Sequence, residues 1–204
     1  MKMNLPNKLT CLRVILIPFF VGVMMYAQRM LDNSAVVNSM EATENFLGLW
    51  GRFRVIACVI FCAAAFTDFL DGYLARKYHL ITNFGKFMDP LADKLLVCSA
   101  LILLTSYGQL PVWVTIIIIS REFIISGFRL VAADNGIVIA ASWWGKWKTV
   151  CQMAMCILMI GSFSASPVYA AVETVLMYAA VILTVVSLVD YIIKNSRVIT
   201  EGGM

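Results

Sequence analysis

The chain has 204 residues, 61% of them hydrophobic and 14% charged, with a formal net charge of +4. Soluble domains carry about a quarter charged residues and are less than half apolar, so this composition excludes a soluble globular protein. What remains is an all-α, polytopic membrane protein, and the length suffices for one membrane bundle, a single domain over residues 1–204.

Apolar runs predict six transmembrane helices, at about 11–27, 53–77, 89–107, 111–133, 147–163 and 170–193. Ahead of the first, Asn4 to Leu9 (NLPNKL) predicts a short N-terminal interfacial helix. Lys2 and Lys8 followed by an apolar run imitate a signal peptide, but the run is long and its cleavage signal weak, so it is read as the first span. A loop of mixed charge is expected over about 28–52. The second span closes on Asp68 and Asp71, and the third opens on Asp89 and Asp93, with the lone His79 in a surface or supporting place between them. The fourth contains Ser120-Arg121-Glu122, a polar string that must face protein or water. Trp143, Trp144 and Trp147, at the start of the fifth, suit an interfacial aromatic belt. The six cysteines lie in apolar segments and form no CxxC pair, as packed reduced thiols do.

Orientation follows from the basic residues. With an even number of spans both termini share a side, and that side would hold Lys2, Lys8, Arg13, Arg76, Lys77, Lys86, Lys94, Arg121, Arg129, Lys146, Lys148, Lys194 and Arg197. Arg29, Arg52 and Arg54 fall on the other. Both termini are therefore expected in the cytoplasm, and the four aspartates fall on the same side.

The aspartates stand in the spacing Asp68-x-x-Asp71-Gly72-x-x-Ala75-Arg76, then eight residues, then Gly85-x-x-x-Asp89-x-x-x-Asp93. Asp68 and Asp71 share one helical face, as do Asp89 and Asp93. Antiparallel packing of the two helices brings these faces together. Four carboxylates around one small volume repel one another unless cations fill it. All-oxygen donors suit magnesium, manganese or calcium. Gly72 and Ala75 keep the helix face shallow, and the Arg76 fork can grip a pyrophosphate. Ion pairs at two helix ends would explain one such pair but not the whole spacing. A cation or proton transporter is the alternative class, and it leaves Gly72, Ala75 and Arg76 unexplained.

The string from Asp68 to Asp93 matches, without departure, the signature of the CDP-alcohol phosphotransferases, and the chain resembles that family. The resemblance implies a six-helix membrane fold, a homodimer, and a site at the cytoplasmic surface. It implies a two-metal centre of Mg2+ or Mn2+ on Asp68, Asp71, Asp89 and Asp93, with Asp93 also the general base. Gly72, Ala75, Arg76 and Gly85 would line the CDP site. The implied reaction passes a substituted phosphate from a CDP-alcohol to a second alcohol and releases CMP.

Three further segments address the acceptor. Asn7, Thr10 and Arg13 are spaced three apart on one helical face, with contact to cytidine or pyrophosphate as one reading and capping or headgroup anchoring as the other. Ser120 to Arg129 carries Arg121 and Arg129, and Gly145-Lys146-Trp147-Lys148-Thr149 opens the fifth span. These segments resemble the phosphatidylglycerophosphate synthase branch, found in the bacterial cytoplasmic (inner) membrane, which uses CDP-diacylglycerol and glycerol 3-phosphate. Physics agrees: an acceptor with its own phosphate needs cations, and Arg121, Arg129, Lys146 and Lys148 would supply them. Inositol phosphate, serine or phosphatidylglycerol are the alternative acceptors, of which the neutral ones need no such cations. Nothing in the sequence indicates nucleic acid.

Overall fold

The computed structural model is all-α, with six helices among the described residues: α1 (Leu5–Val36), α2 (Met40–Lys77), α3 (Asn83–Ser106), α4 (Val112–Asp134), α5 (Trp143–Gly161) and α6 (Pro167–Lys194). The structure describes the backbone of residues 5–36, 40–77, 83–134 and 142–195; inside these helices the side chains of 5–7, 34–36, 40–43, 46, 68, 69, 71–76, 83–87, 89, 90, 133 and 134 lie outside the description. His79 and Arg197 fall outside the described residues altogether.

The helices outrun the apolar windows that announced them. α1 and α2 extend through most of the expected loop at 28–52. Neither glycine nor proline occurs between Val23 and Leu47, and the polar residues there propagate a helix well enough. Hydropathy marks what enters hydrocarbon, not where hydrogen bonding ends. Leu5 to Leu9 are the first turns of α1, continuous with the rest, so the expected N-terminal interfacial helix is not a separate element. Among the described residues three segments are long and apolar enough to cross a membrane: Lys8–Asn33, Leu47–Thr67 and Pro167–Lys194. α4 interrupts its apolar run with Arg121, Glu122 and Arg129, and α5 has 19 residues with Lys146 and Lys148 in its first turns.

Two compact units divide the chain: Met1–Gln109 with Cys156–Ser164, and Leu110–Met155 with Ala165–Met204. In the first, α1 packs on α2 and α3, and α2 touches α3. The buried positions of α1 are Thr10, Arg13, Ile17, Phe20, Met24 and Ala27, alternating three and four residues apart. That is the seam of a helix in a left-handed bundle. Arg54, Ala57, Phe61 and Ala64 repeat it on α2. The alanines let backbones approach closely, as packing in lipid requires. Phe20 meets Phe61 with ring centroids 5.6 Å apart. The outward face is apolar too: Ile15, Phe19, Val55, Val59 and Phe66 are all exposed. Apolar outside with arginine inside is the order expected when the surrounding solvent is hydrocarbon.

Terminal groups of the helices are met locally. After α3, Gly108 adopts φ +72°, where a side chain would be strained. Its N–H bonds the Thr105 carbonyl at 3.0 Å and the Gln109 N–H reaches back to Leu104 at 3.0 Å. Those two bonds make a Schellman cap. Ser166 caps α6 by accepting from the Tyr169 N–H at 3.2 Å, with Pro167 in the first turn where no N–H is needed.

The last turn of α5 is closed from a distance. Arg54 of α2, only 1% exposed, donates Nε to the Ile160 carbonyl at 2.6 Å and Nη2 to the Met159 carbonyl. Nη2 also donates to Gln109 Oε1 at 2.8 Å. The guanidinium carbon lies 5.5 Å from the centroid of the Trp50 ring. A cation on the carbonyl end of a helix satisfies orphan acceptors and the helix dipole together. Breaking such a buried arrangement costs about 3–5 kcal/mol. Arg54→Ala is therefore expected to lower the melting temperature in detergent by roughly 10 °C, with Arg54→Lys intermediate; an unchanged melting curve would show the clamp to be dispensable.

In the second unit α4 packs on α6. Its buried residues include Val114, Ile118 and Ile125 on α4 and Met177, Ala180, Thr184, Ser187 and Tyr191 on α6, again at alternating spacings of three and four along α6. The exposed face of α6 is Val172, Val175, Ile182, Val185, Val189 and Ile193.

Candidate active site

The aspartates occupy matching levels on neighbouring helices of one unit. α2 ends at Lys77 and α3 begins at Asn83, and so short a connection between packed helices makes them antiparallel. Asp71 lies six residues before the end of α2 and Asp89 six residues after the start of α3. Both are thus about 9 Å from the connection along the helix axes. Asp68 and Asp93, nine and ten residues from it, lie at about 14 and 15 Å. Two carboxylate positions on each helix therefore stand in register. Of the four side chains only Asp93 is among those described, and it is half-buried.

That donor set fits divalent metal. All four donors are hard oxygens, and they sit at one end of a helix pair whose outer face is apolar, where uncompensated carboxylates are costly. The backbones of Gly72, Ala75 and Arg76 follow on α2, and that of Gly85 opens α3; their side chains are outside the description, as is that of Asn7. Thr10 and Arg13 are described and fully buried, so Arg13 does not extend outward to a lipid headgroup.

In the second unit the basic residues singled out from the sequence separate into two kinds. Arg121 of α4 and Lys148 of α5 are buried, at 8% and 3% exposure, and converge on Glu122. Arg121 Nη1 lies 3.1 Å from Glu122 Oε1, and Lys148 Nζ bonds the same oxygen. Arg129 and Lys146 are exposed and make no part of this group. The burial of Lys148 removes the reading in which it snorkels to lipid headgroups. Two cations thus share the Glu122 carboxylate.

Local structure explains the convergence. Ser142 caps α5 by accepting from the Gly145 N–H at 3.1 Å, which starts the helix at Trp143 and puts Lys148 in its second turn. Gly145 itself lies beside the cluster: a Cβ there would stand 3.4 Å from Arg121 Nη2. Trp143 and Trp147 pack edge-on, centroids 6.2 Å apart, and with Trp144 remain exposed.

Two functional or supporting residues escaped the sequence reading. Ser187 of α6 takes two hydrogen bonds from the Arg121 guanidinium, from Nε at 3.2 Å and Nη2 at 3.1 Å. Its signal was a lone serine in an apolar helix, in phase with Thr184 and Tyr191. Arg54, counted only as a charge outside the cytoplasm, is a buried clamp. Glu122→Gln is expected to lower the melting temperature by several degrees, because it leaves two buried cations without their shared anion, and adding Lys148→Met should recover part of the loss; strictly additive effects would show that the two residues are not coupled.

Comparison with known proteins adds the following. A family model described as CDP-alcohol phosphatidyltransferase matches residues 3–186. The chain is 40% identical over 203 residues to the CDP-diacylglycerol–glycerol-3-phosphate 3-phosphatidyltransferase of Bacillus subtilis, covering 94% of this chain and 95% of that one. It is 38% identical over 197 residues to the protein of the same name in Escherichia coli K12, covering 94% of each. A probable phosphatidylglycerophosphate synthase of Mycobacterium tuberculosis H37Rv is 40% identical over 201 residues, covering 98% of this chain and 85% of that one.

Proposed function

This chain belongs to the CDP-alcohol phosphatidyltransferase family, and from that premise we propose that it transfers the phosphatidyl group of CDP-diacylglycerol to glycerol 3-phosphate, giving phosphatidylglycerol phosphate and CMP. The observation that carries the reading is the register of the four aspartates on α2 and α3, the arrangement a metal-assisted phosphoryl centre needs. The names of the relatives support both substrates. Every residue assigned here to the site lies within residues 3–186.

In the proposed reaction the acceptor's primary hydroxyl attacks the phosphorus that bears the diacylglycerol. The bond from that phosphorus to the bridging oxygen breaks, and CMP leaves with the electron pair. Asp93 takes the hydroxyl proton, since an alcohol is a poor nucleophile at neutral pH. Asp68, Asp71, Asp89 and Asp93 would hold Mg2+ or Mn2+, which when bound offsets charge on the pyrophosphate and the departing CMP. Gly72, Ala75 and Gly85 leave room for the CDP group, Arg76 grips its pyrophosphate, and Asn7, Thr10 and Arg13 flank it. Arg121 and Lys148 bind the acceptor's own phosphate through charge-assisted hydrogen bonds, with Arg129 and Lys146 contributing attraction from the exposed edge.

We also propose that all six helices cross the bilayer, with α3, α4 and α5 turning their charges inward. The excess of lysine and arginine then sets both termini and the site in the cytoplasm of a bacterial cell, at its inner membrane. A homodimer is part of the same proposal. It rests on the family resemblance.

The test is CMP release by purified protein in detergent, with CDP-diacylglycerol and magnesium, with and without glycerol 3-phosphate. Release only in its presence is the expected result; release with another alcohol alone would overturn the acceptor. Asp93→Asn should lower turnover at least about a hundredfold while CDP-diacylglycerol binding persists, and wild-type turnover would remove its role as base. Arg121→Ala should raise the KM for glycerol 3-phosphate by roughly 10–100-fold with little change in the KM for CDP-diacylglycerol. An effect confined to the lipid substrate would move Arg121 to the donor's pocket.

A further inference from the structure

We infer that Ser187 is the positioning residue that aims the Arg121 guanidinium at the phosphate of the acceptor. The inference rests on the proposed reading of Arg121, and it adds a residue just beyond the segment the family model matches.

The geometry is specific. Ser187 is fully buried and Arg121 is 8% exposed, so water does not compete for either group. The serine hydroxyl donates its proton to the Thr184 carbonyl at 3.0 Å. Its oxygen lone pairs are thereby turned outward, and they accept from Arg121 Nε at 3.2 Å and Nη2 at 3.1 Å. One edge of the guanidinium is bound in this way to a helix that carries no other part of the cation cluster. Nη1 donates to Glu122 at 3.1 Å.

A guanidinium has five N–H donors. These bonds engage three of them and leave one N–H on each of Nη1 and Nη2. Those two donors remain for a phosphate. Gly145 keeps space beside Nη2, where a Cβ would stand 3.4 Å away. Glu122 and Ser187 therefore hold the plane of the guanidinium from two sides, and what they leave is one N–H on each terminal nitrogen. Without Ser187 the charge stays, but its fork is free to turn about the side-chain torsions, and alignment is paid for on each binding event.

The experiment is steady-state CMP release by the full-length protein in detergent with magnesium, titrating glycerol 3-phosphate and CDP-diacylglycerol separately. It is paired with the rise in melting temperature that glycerol 3-phosphate alone produces. Ser187→Ala should raise the KM for glycerol 3-phosphate about tenfold. Its kcat should fall by less than about twofold, the KM for CDP-diacylglycerol should hold, and the thermal shift should weaken. In an Arg121→Lys background the same change should add less than about twofold, because an ammonium has no fork to aim. Should Ser187→Ala prove too unstable for kinetics, Ser187→Cys keeps the volume with a weaker acceptor and carries the same comparison. A wild-type KM for the Ser187 variants, while Arg121→Ala raises it, overturns the role of Ser187 and leaves Arg121 in place. A fall in melting temperature and kcat with both KM values unmoved likewise reduces Ser187 to packing. An unmoved KM in Arg121→Ala overturns the reading of Arg121 itself.

Discussion

Hydrocarbon solvates neither a charge nor an open carbonyl, and the side-chain order of this chain answers to that fact. Residues facing outward are valine, isoleucine, leucine and phenylalanine, while the arginines at 13, 54 and 121 and the lysine at 148 are buried. A soluble helix buries its apolar stripe; these helices bury apolar and polar residues along a shared seam and leave an apolar face outside. Each buried cation then needs its compensation from the protein itself, since no water can be drawn on.

Arg54 and Arg121 show two ways of meeting that need. Arg54 gives its donors to two carbonyls at the end of α5 and an amide oxygen, and so joins α2 to the last turn of α5. Arg121 shares one carboxylate with Lys148 and leans on a hydroxyl. The first arrangement is closed and belongs to architecture. The second brings two cations to one carboxylate and leaves the Arg121 guanidinium with N–H donors beyond its bonds to Glu122 and Ser187, which is why it is the one proposed for binding.

Much of this was legible beforehand. Helix number and type followed from apolar runs, and the aspartate spacing, being a local property of two helices, placed its residues on matching turns of α2 and α3. Where Arg121 would go followed in part, since a charge in an apolar run must find protein. What could not be read was anything depending on tertiary pairing. Nothing local in Ser187 says that a guanidinium 66 residues away will bond it. Nothing in Arg54 names Ile160 as its acceptor. Helix ends were misjudged at 28–52 because transfer free energy and helix propensity are different quantities: Gln28, Arg29 and Glu41 are poor guests for lipid and acceptable ones for a helix.

The clamp at Arg54 also has a history within each molecule. Its acceptors lie 105 and 106 residues further along the chain. A ribosome therefore completes α2, α3 and α4 before the carbonyls of Met159 and Ile160 exist. During that interval Trp50 and the Gln109 amide have already been made, while the two carbonyls that α5 supplies are still to come. The clamp can therefore close only once α5 has been made, whatever the order in which the earlier helices pack.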